Sequence, residues 1–93
     1  MLDKEQAEHR AAEFLAGESR SWGPSSSVRI IPEYCFVDGE QFIAPYDHID
    51  YLDNGHEGMQ LGGNLPVAVH LVTGACRFID WEEADAFMAR DLL

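Results

Sequence analysis

The stretch Leu61-Gly-Gly-Asn-Leu-Pro-Val-Ala-Val-His-Leu-Val-Thr-Gly74 constrains the fold more than any other part of the chain. Gly62, Gly63 and Asn64 tolerate left-handed backbone geometry, which other residues resist. Pro66 fixes φ and has no N–H, so it suits the first residue of a strand and not its middle. Val67 to Val72 is apolar and half β-branched, with His70 its one polar residue. That composition predicts a strand buried on both faces. Thr73-Gly74 turns the chain, and Ala75 to Ile79 runs back. The expectation is a central hairpin entered through a rigid corner of Gly62, Gly63, Asn64 and Pro66. Asn64 and one of the glycines are expected to have positive φ or to cap backbone groups.

The flanking segments read as helix, strands, polar connection and helix. Asp3 is placed to cap a first helix, with Gln6 as its capping-box partner. Ala7, Ala11, Phe14 and Leu15 form one apolar stripe at helical spacing, so the helix is expected over 4–16, with Gly17 as its stop. Residues 17–27, with Gly23-Pro24 and three consecutive serines, read as loop. Trp22 in that loop is expected to fold back as a plug on the core edge. Val28 to Val37 reads as a strand bent or edged at Pro32, and Asp38-Gly39 as a two-residue hairpin turn. Glu40 to Tyr46 returns, with Phe42, Ala44 and Tyr46 on one face and Gln41, Ile43 and Pro45 on the other. Residues 47–60 read as a long acidic loop with Ile49 and Leu52 as anchors and a turn at Asn54-Gly55. Asp80 and Glu83 form a second capping box, ahead of a helix with the stripe Trp81, Ala84, Phe87, Met88 and Leu92. The fold class expected is α+β: one domain over 1–93, a four-stranded antiparallel sheet flanked by an N-terminal and a C-terminal helix, order α-β-β-β-β-α, with the helices on one face.

Charge narrows the function. Seventeen acidic residues face six basic ones, a formal net charge of −11. Between Ile30 and Cys76 there is no Lys or Arg, while Glu33, Asp38, Glu40, Asp47, Asp50, Asp53 and Glu57 all fall there. Such a field repels nucleic acid and anionic membranes and attracts a basic protein. No apolar run approaches the roughly 20 residues of a membrane span, and the first residues lack the apolar core of a secretory signal. A cytoplasmic location is therefore expected, with Cys35 and Cys76 as reduced, buried thiols in preference to the alternative of a disulfide between them.

The residues do not assemble into a catalytic or metal motif. His48, Asp50, Asp53, His56 and Glu57 are competent ligand types, but the spacing fits neither a closed zinc site nor a calcium loop. Thiols in apolar runs are poor nucleophiles. Gly62-Gly63-Asn64 lacks the lysine and the helix start of a phosphate loop. His70 reads as a satisfied sheet histidine. No catalytic residue, metal or cofactor is expected. The reading favours a binding surface at Tyr46, Asp47, His48, Asp50, Tyr51, Asp53 and Glu57, where two tyrosines lie among acids.

The run Leu61-Gly-Gly-Asn-Leu-Pro-Val-Ala-Val with Thr73-Gly74 resembles the signature of immunity protein 35, a domain of bacterial polymorphic toxin systems. Gly39-Glu-Gln-Phe-Ile-Ala-Pro-Tyr46, leading to Tyr51-Leu52 and Asn54-Gly55, is similar to that family's hairpin strand and following loop. The likeness covers about Val28 to the C-terminus. It departs at Gly39-Glu40-Gln41, where the family usually has Gly-Trp, so no partner contact through that tryptophan carries over. The resemblance implies a cytoplasmic antidote that binds and neutralises a cognate toxin, often a papain-like one, by stoichiometric occlusion and without catalytic residues. A small enzyme or ligand-binding α+β domain and a chaperone-like holdase are the alternatives.

Overall fold

The computed structural model describes residues 1–61 and 64–93, without the side chains of Pro24, Ser25 and Met59. Over these residues the chain is α+β, with three α-helices and six strands in two antiparallel sheets. Helix α1 (Lys4–Ser19) begins where its capping box predicts. The Asp3 carboxylate accepts from the Gln6 N–H at 2.8 Å, and Gln6 Oε1 accepts from the Asp3 N–H at 3.0 Å. It does not stop at Gly17. Ser19 extends the buried row Ala7, Ala11, Leu15 by one more turn, so packing overrides the glycine's preference for a helix end. The rest of the expected loop contains a 3-10 turn, Gly23–Ser26.

Strands β1 (Val28–Ile30), β2 (Phe36–Asp38), β3 (Gln41–Ala44) and β4 (Tyr46–His48) form a bent ribbon. Pro32 and Pro45 do not merely bend two strands. They cut each in two and send the halves to different sheets: β1 pairs with β4, and β2 with β3. The Ile31 N–H donates to the Pro45 carbonyl at the break. The first arm carries a 3-10 turn, Pro32–Tyr34, that has no counterpart on the second, and the pairing register shifts by three residues across it. This turn pushes Glu33 and Tyr34 outward. The β2–β3 loop is Gly39-Glu40, one residue later than expected, with positive φ at Gly39. Positive φ at the first loop residue alone is the pattern of a type II′ turn.

The larger sheet has the order β2-β3-β5-β6, with β5 (Val67–His70) and β6 (Cys76–Phe78) as the second hairpin. Val67, Ala68 and Val69 are all buried, as a strand covered on both faces requires. The side-chain alternation also holds: Phe42, Ala44, Val67 and Val69 face α1, while Ile43 and Ala68 face α3 (Trp81–Ala89) with Ile79, Ala84 and Phe87. The two long helices thus lie on opposite faces of this sheet and not on one. Asp80 and Glu83 cap α3 as expected, but Trp81 and Met88 of the expected stripe are exposed. Trp22 plugs the edge of the α1 side, its ring 6.0 Å from those of Tyr46 and Phe78.

Residues 47–60 are not a loop. The end of β4, helix α2 (Ile49–Asn54) and a 3-10 turn (Glu57–Met59) occupy most of the span. His48 caps α2, its Nδ1 accepting from the Asp50 N–H at 3.1 Å, and Gly55 ends it in the left-handed conformation.

Candidate partner-binding surface

Two of the corner residues, Asn64 and Pro66, hold backbone. The Asn64 amide donates to the Tyr46 carbonyl at 2.7 Å, tying the approach to β5 onto β4. Pro66 stands just before β5, and its carbonyl accepts from the Ile79 N–H at 3.0 Å. The proline offers only an acceptor, and only an acceptor is used here. Gly62 and Gly63 lie outside the described residues. At the other end of β5, His70 Nδ1 faces the N–H groups of Val72 and Thr73 at 3.2 and 3.3 Å, so this histidine shapes the turn.

The seven residues expected at the binding surface divide by burial. Tyr46, Asp47 and His48 are buried at 6%, 7% and 3% exposure. The Tyr46 ring belongs to the aromatic cluster around Trp22, and its burial raises the phenol pKa. Asp47 Oδ1 accepts from the N–H groups of His48 and Leu61 at 2.7 and 2.8 Å. It therefore clips the far end of the acidic segment back onto β4. The other four stand further out. Asp50 and Tyr51 are half-buried, and Asp53 and Glu57 are exposed. Asp53 is held bidentately by Arg29, at 2.7 and 3.1 Å, which lowers its carboxyl pKa and offsets its charge.

Asp47, Tyr51 and Glu57 line one groove of about 460 Å³, and the structure adds Glu33 and Tyr34 to it. A second groove, about 490 Å³, shares Glu33 and Tyr34 and is floored by Phe36, Pro45 and Leu92. The 3-10 turn after Pro32 is thus a ridge with an acidic groove on one side and a mainly apolar groove on the other. Tyr34 at its crest is 63% exposed. In the sequence Glu33 and Tyr34 look like interior residues of a strand, so neither falls in the expected binding surface. The available signal was Pro32, which starts a 3-10 turn as readily as it bends a strand.

Charges around the ridge are unevenly compensated. Arg29, Arg77 and Arg90 are engaged by Asp53, Glu83 and Asp38. Neither Glu33 nor Glu57 has an ion-pair partner among the described residues. Arg29, which feels the charge of Glu33, is already committed to Asp53. Cys35 borders the apolar groove as a free thiol. Burial, aided by the nearby charges of Glu8 and Glu33, pushes its pKa up to about 12. Burial also raises that of Cys76, with Arg10 opposing. Thiols held protonated at neutral pH are weak nucleophiles. Among the described residues, no group of three or more His, Cys, Asp or Glu side chains is placed to hold a metal ion, and no helix is long and apolar enough to cross a membrane.

Compared with known protein families, curated proteins and solved structures, the chain matches none of them.

Proposed function

We propose that the protein is a stoichiometric inhibitor. It binds a basic partner protein in the cytoplasm, a cognate toxin as the resemblance to immunity protein 35 implies, and neutralises it by covering its working surface. The observation that carries this reading is the ridge. An exposed tyrosine stands between two grooves, with Glu33 and Glu57 beside it, neither having an ion-pair partner among the described residues. Uncompensated carboxylates speed encounter with a basic protein, and an aromatic anchor slows its departure. The shortened surface is Glu33, Tyr34, Asp50, Tyr51 and Glu57, with Asp47 beneath. Tyr46 and His48 support it from inside.

Co-expression with the product of the adjacent reading frame tests this. An equimolar complex should form, and the partner's toxicity should disappear at one equivalent of inhibitor. Reversing Glu33 and Glu57 to Lys should slow association and flatten its salt dependence. A neighbouring toxin that neither binds nor is neutralised would remove the proposal.

A further inference from the structure

Resting on the inhibitor reading, we infer that the two grooves beside the Glu33–Tyr34 ridge receive one short extended segment of the partner. An apolar side chain of that segment enters the groove floored by Phe36, Pro45 and Leu92, and a Lys or Arg side chain enters the groove at Tyr51 and Glu57.

Three features of the ridge select this occupant. The first groove is apolar at its floor and rimmed by the acids Glu33 and Asp91. An apolar side chain gains by leaving water there, and a neighbouring cation gains from the rim. The second groove offers Glu33 and Glu57 without an ion-pair partner among the described residues, above the buried Asp47. A lysine or arginine from outside would supply the missing positive charge. Finally, both grooves share Glu33 and Tyr34 as a common wall, so a chain crossing the ridge reaches both and lies against the exposed Tyr34 ring. Tyrosine in such a place combines broad apolar contact with little conformational freedom to lose. A second copy of this chain would bring another −11 of charge to an acidic surface, and nucleic acid is repelled by the same field.

The test is an NMR titration of the isotope-labelled full chain with a capped peptide carrying one Leu and two Lys in a Gly-Ser background. Two control peptides replace the Leu by Ser or both Lys by Glu. Saturable shift changes are expected at Glu33, Tyr34, Phe36, Glu57 and Leu92. Each control should bind about ten-fold more weakly or not at all, as should the parent peptide with the Tyr34→Ser or Glu33→Lys protein. Both positions are exposed, and an unchanged spectrum away from the ridge verifies that each variant is folded.

Several results would overturn the inference: no saturable binding, changes gathered at Trp81 and Met88 on α3, equal binding of the Leu-lacking control, or changes that follow protein concentration alone. The two proposals fail separately. A toxin neutralised equally well by the Tyr34→Ser and Glu33→Lys proteins removes the groove assignment and leaves the inhibitor reading standing. A peptide seated at the ridge of a protein that neutralises no adjacent toxin does the reverse.

Discussion

The two faces of the β2-β3-β5-β6 sheet are covered by helices of unequal reach. Helix α1 has 16 residues and α3 has 9. At ~1.5 Å per residue these span about 24 Å and about 14 Å. The longer helix presses Ala7, Ala11 and Leu15 onto Phe42, Val67 and Val69, and Trp22 seals the side. The shorter one buries only Ala84 and Phe87, leaving Phe36 and Leu92 half-covered at the end of the sheet. The apolar groove opens where α3 runs out. The closed face and the face that carries the apolar groove are thus the two sides of one sheet.

If one face is closed and the other open, the same deletion should cost different amounts on each. Leu15→Ala on the closed face is expected to cost about 3–4 kcal/mol, because a fully packed site cannot collapse around the cavity. Leu92→Ala on the groove floor should cost roughly 1 kcal/mol, since less apolar area leaves water there. Urea denaturation of both variants measures this, and equal losses would break the contrast.

Openness need not mean looseness. Asp47 holds the floor of the acidic groove through two backbone N–H groups. Asp47→Ala should cost about 2–3 kcal/mol by stranding buried donors. It should also accelerate hydrogen exchange at the Leu61 amide. Slow exchange there in the variant would mean that something else holds the segment.

A smaller effect probes the closed face. Gly74 has φ +77°, and a Cβ added there would lie 2.8 Å from the Arg10 guanidinium. Gly74→Ala should cost about 1–2 kcal/mol, mostly from backbone strain. Removing the Arg10 side chain in the same molecule should recover only the part due to crowding. Complete recovery in thermal melts would show that the backbone tolerates the conformation.

The smallest effect belongs to the clamp on α3. Arg77 joins Glu83 to Gln41 through contacts of 2.7–2.8 Å. The hydrogen bonds from Arg77, with that from the Asp80 backbone, lower the Glu83 carboxyl pKa in the folded chain. The pair's stability is therefore present above the ordinary glutamate pKa and is lost as pH falls through the lower folded value. Arg77→Gln should cost about 0.2–1 kcal/mol at neutral pH and flatten that part of the acid limb. Stability curves for the two proteins that stay parallel down to pH 3 would contradict this.

Much of the fold was legible because its determinants are local. Asp3 with Gln6 and Asp80 with Glu83 each specify a helix start within four residues. The alternation of Phe42, Ile43, Ala44 and Tyr46 assigns each side chain its face without reference to a partner. Legibility failed where a neighbour distant in sequence decides. Pro32 and Pro45 look like bends in two strands. They become sheet boundaries only because β1 and β4 pair beyond them. Helix α2 has six residues, too few for a periodic stripe, and its cap is a histidine, outside the usual capping residues. Of the expected binding residues, Asp47, Tyr51 and Glu57 do meet at one groove. The apolar floor beside it joins Phe36, Pro45 and Leu92, which no local pattern links.

The paired breaks at Pro32 and Pro45 have a consequence for self-association. Had the ribbon run unbroken, its outer arm would have presented a long row of unpaired backbone groups, a template for cross-β growth. Instead the outer strand of the larger sheet, β2, is three residues long and ends on Asp38, and β6 at the opposite edge is three residues long with Arg77 at its centre. Neither is a landing strip for an incoming strand. In a chain with 46% hydrophobic residues, the two prolines of the hairpin thus keep the exposed β2 edge of the larger sheet short.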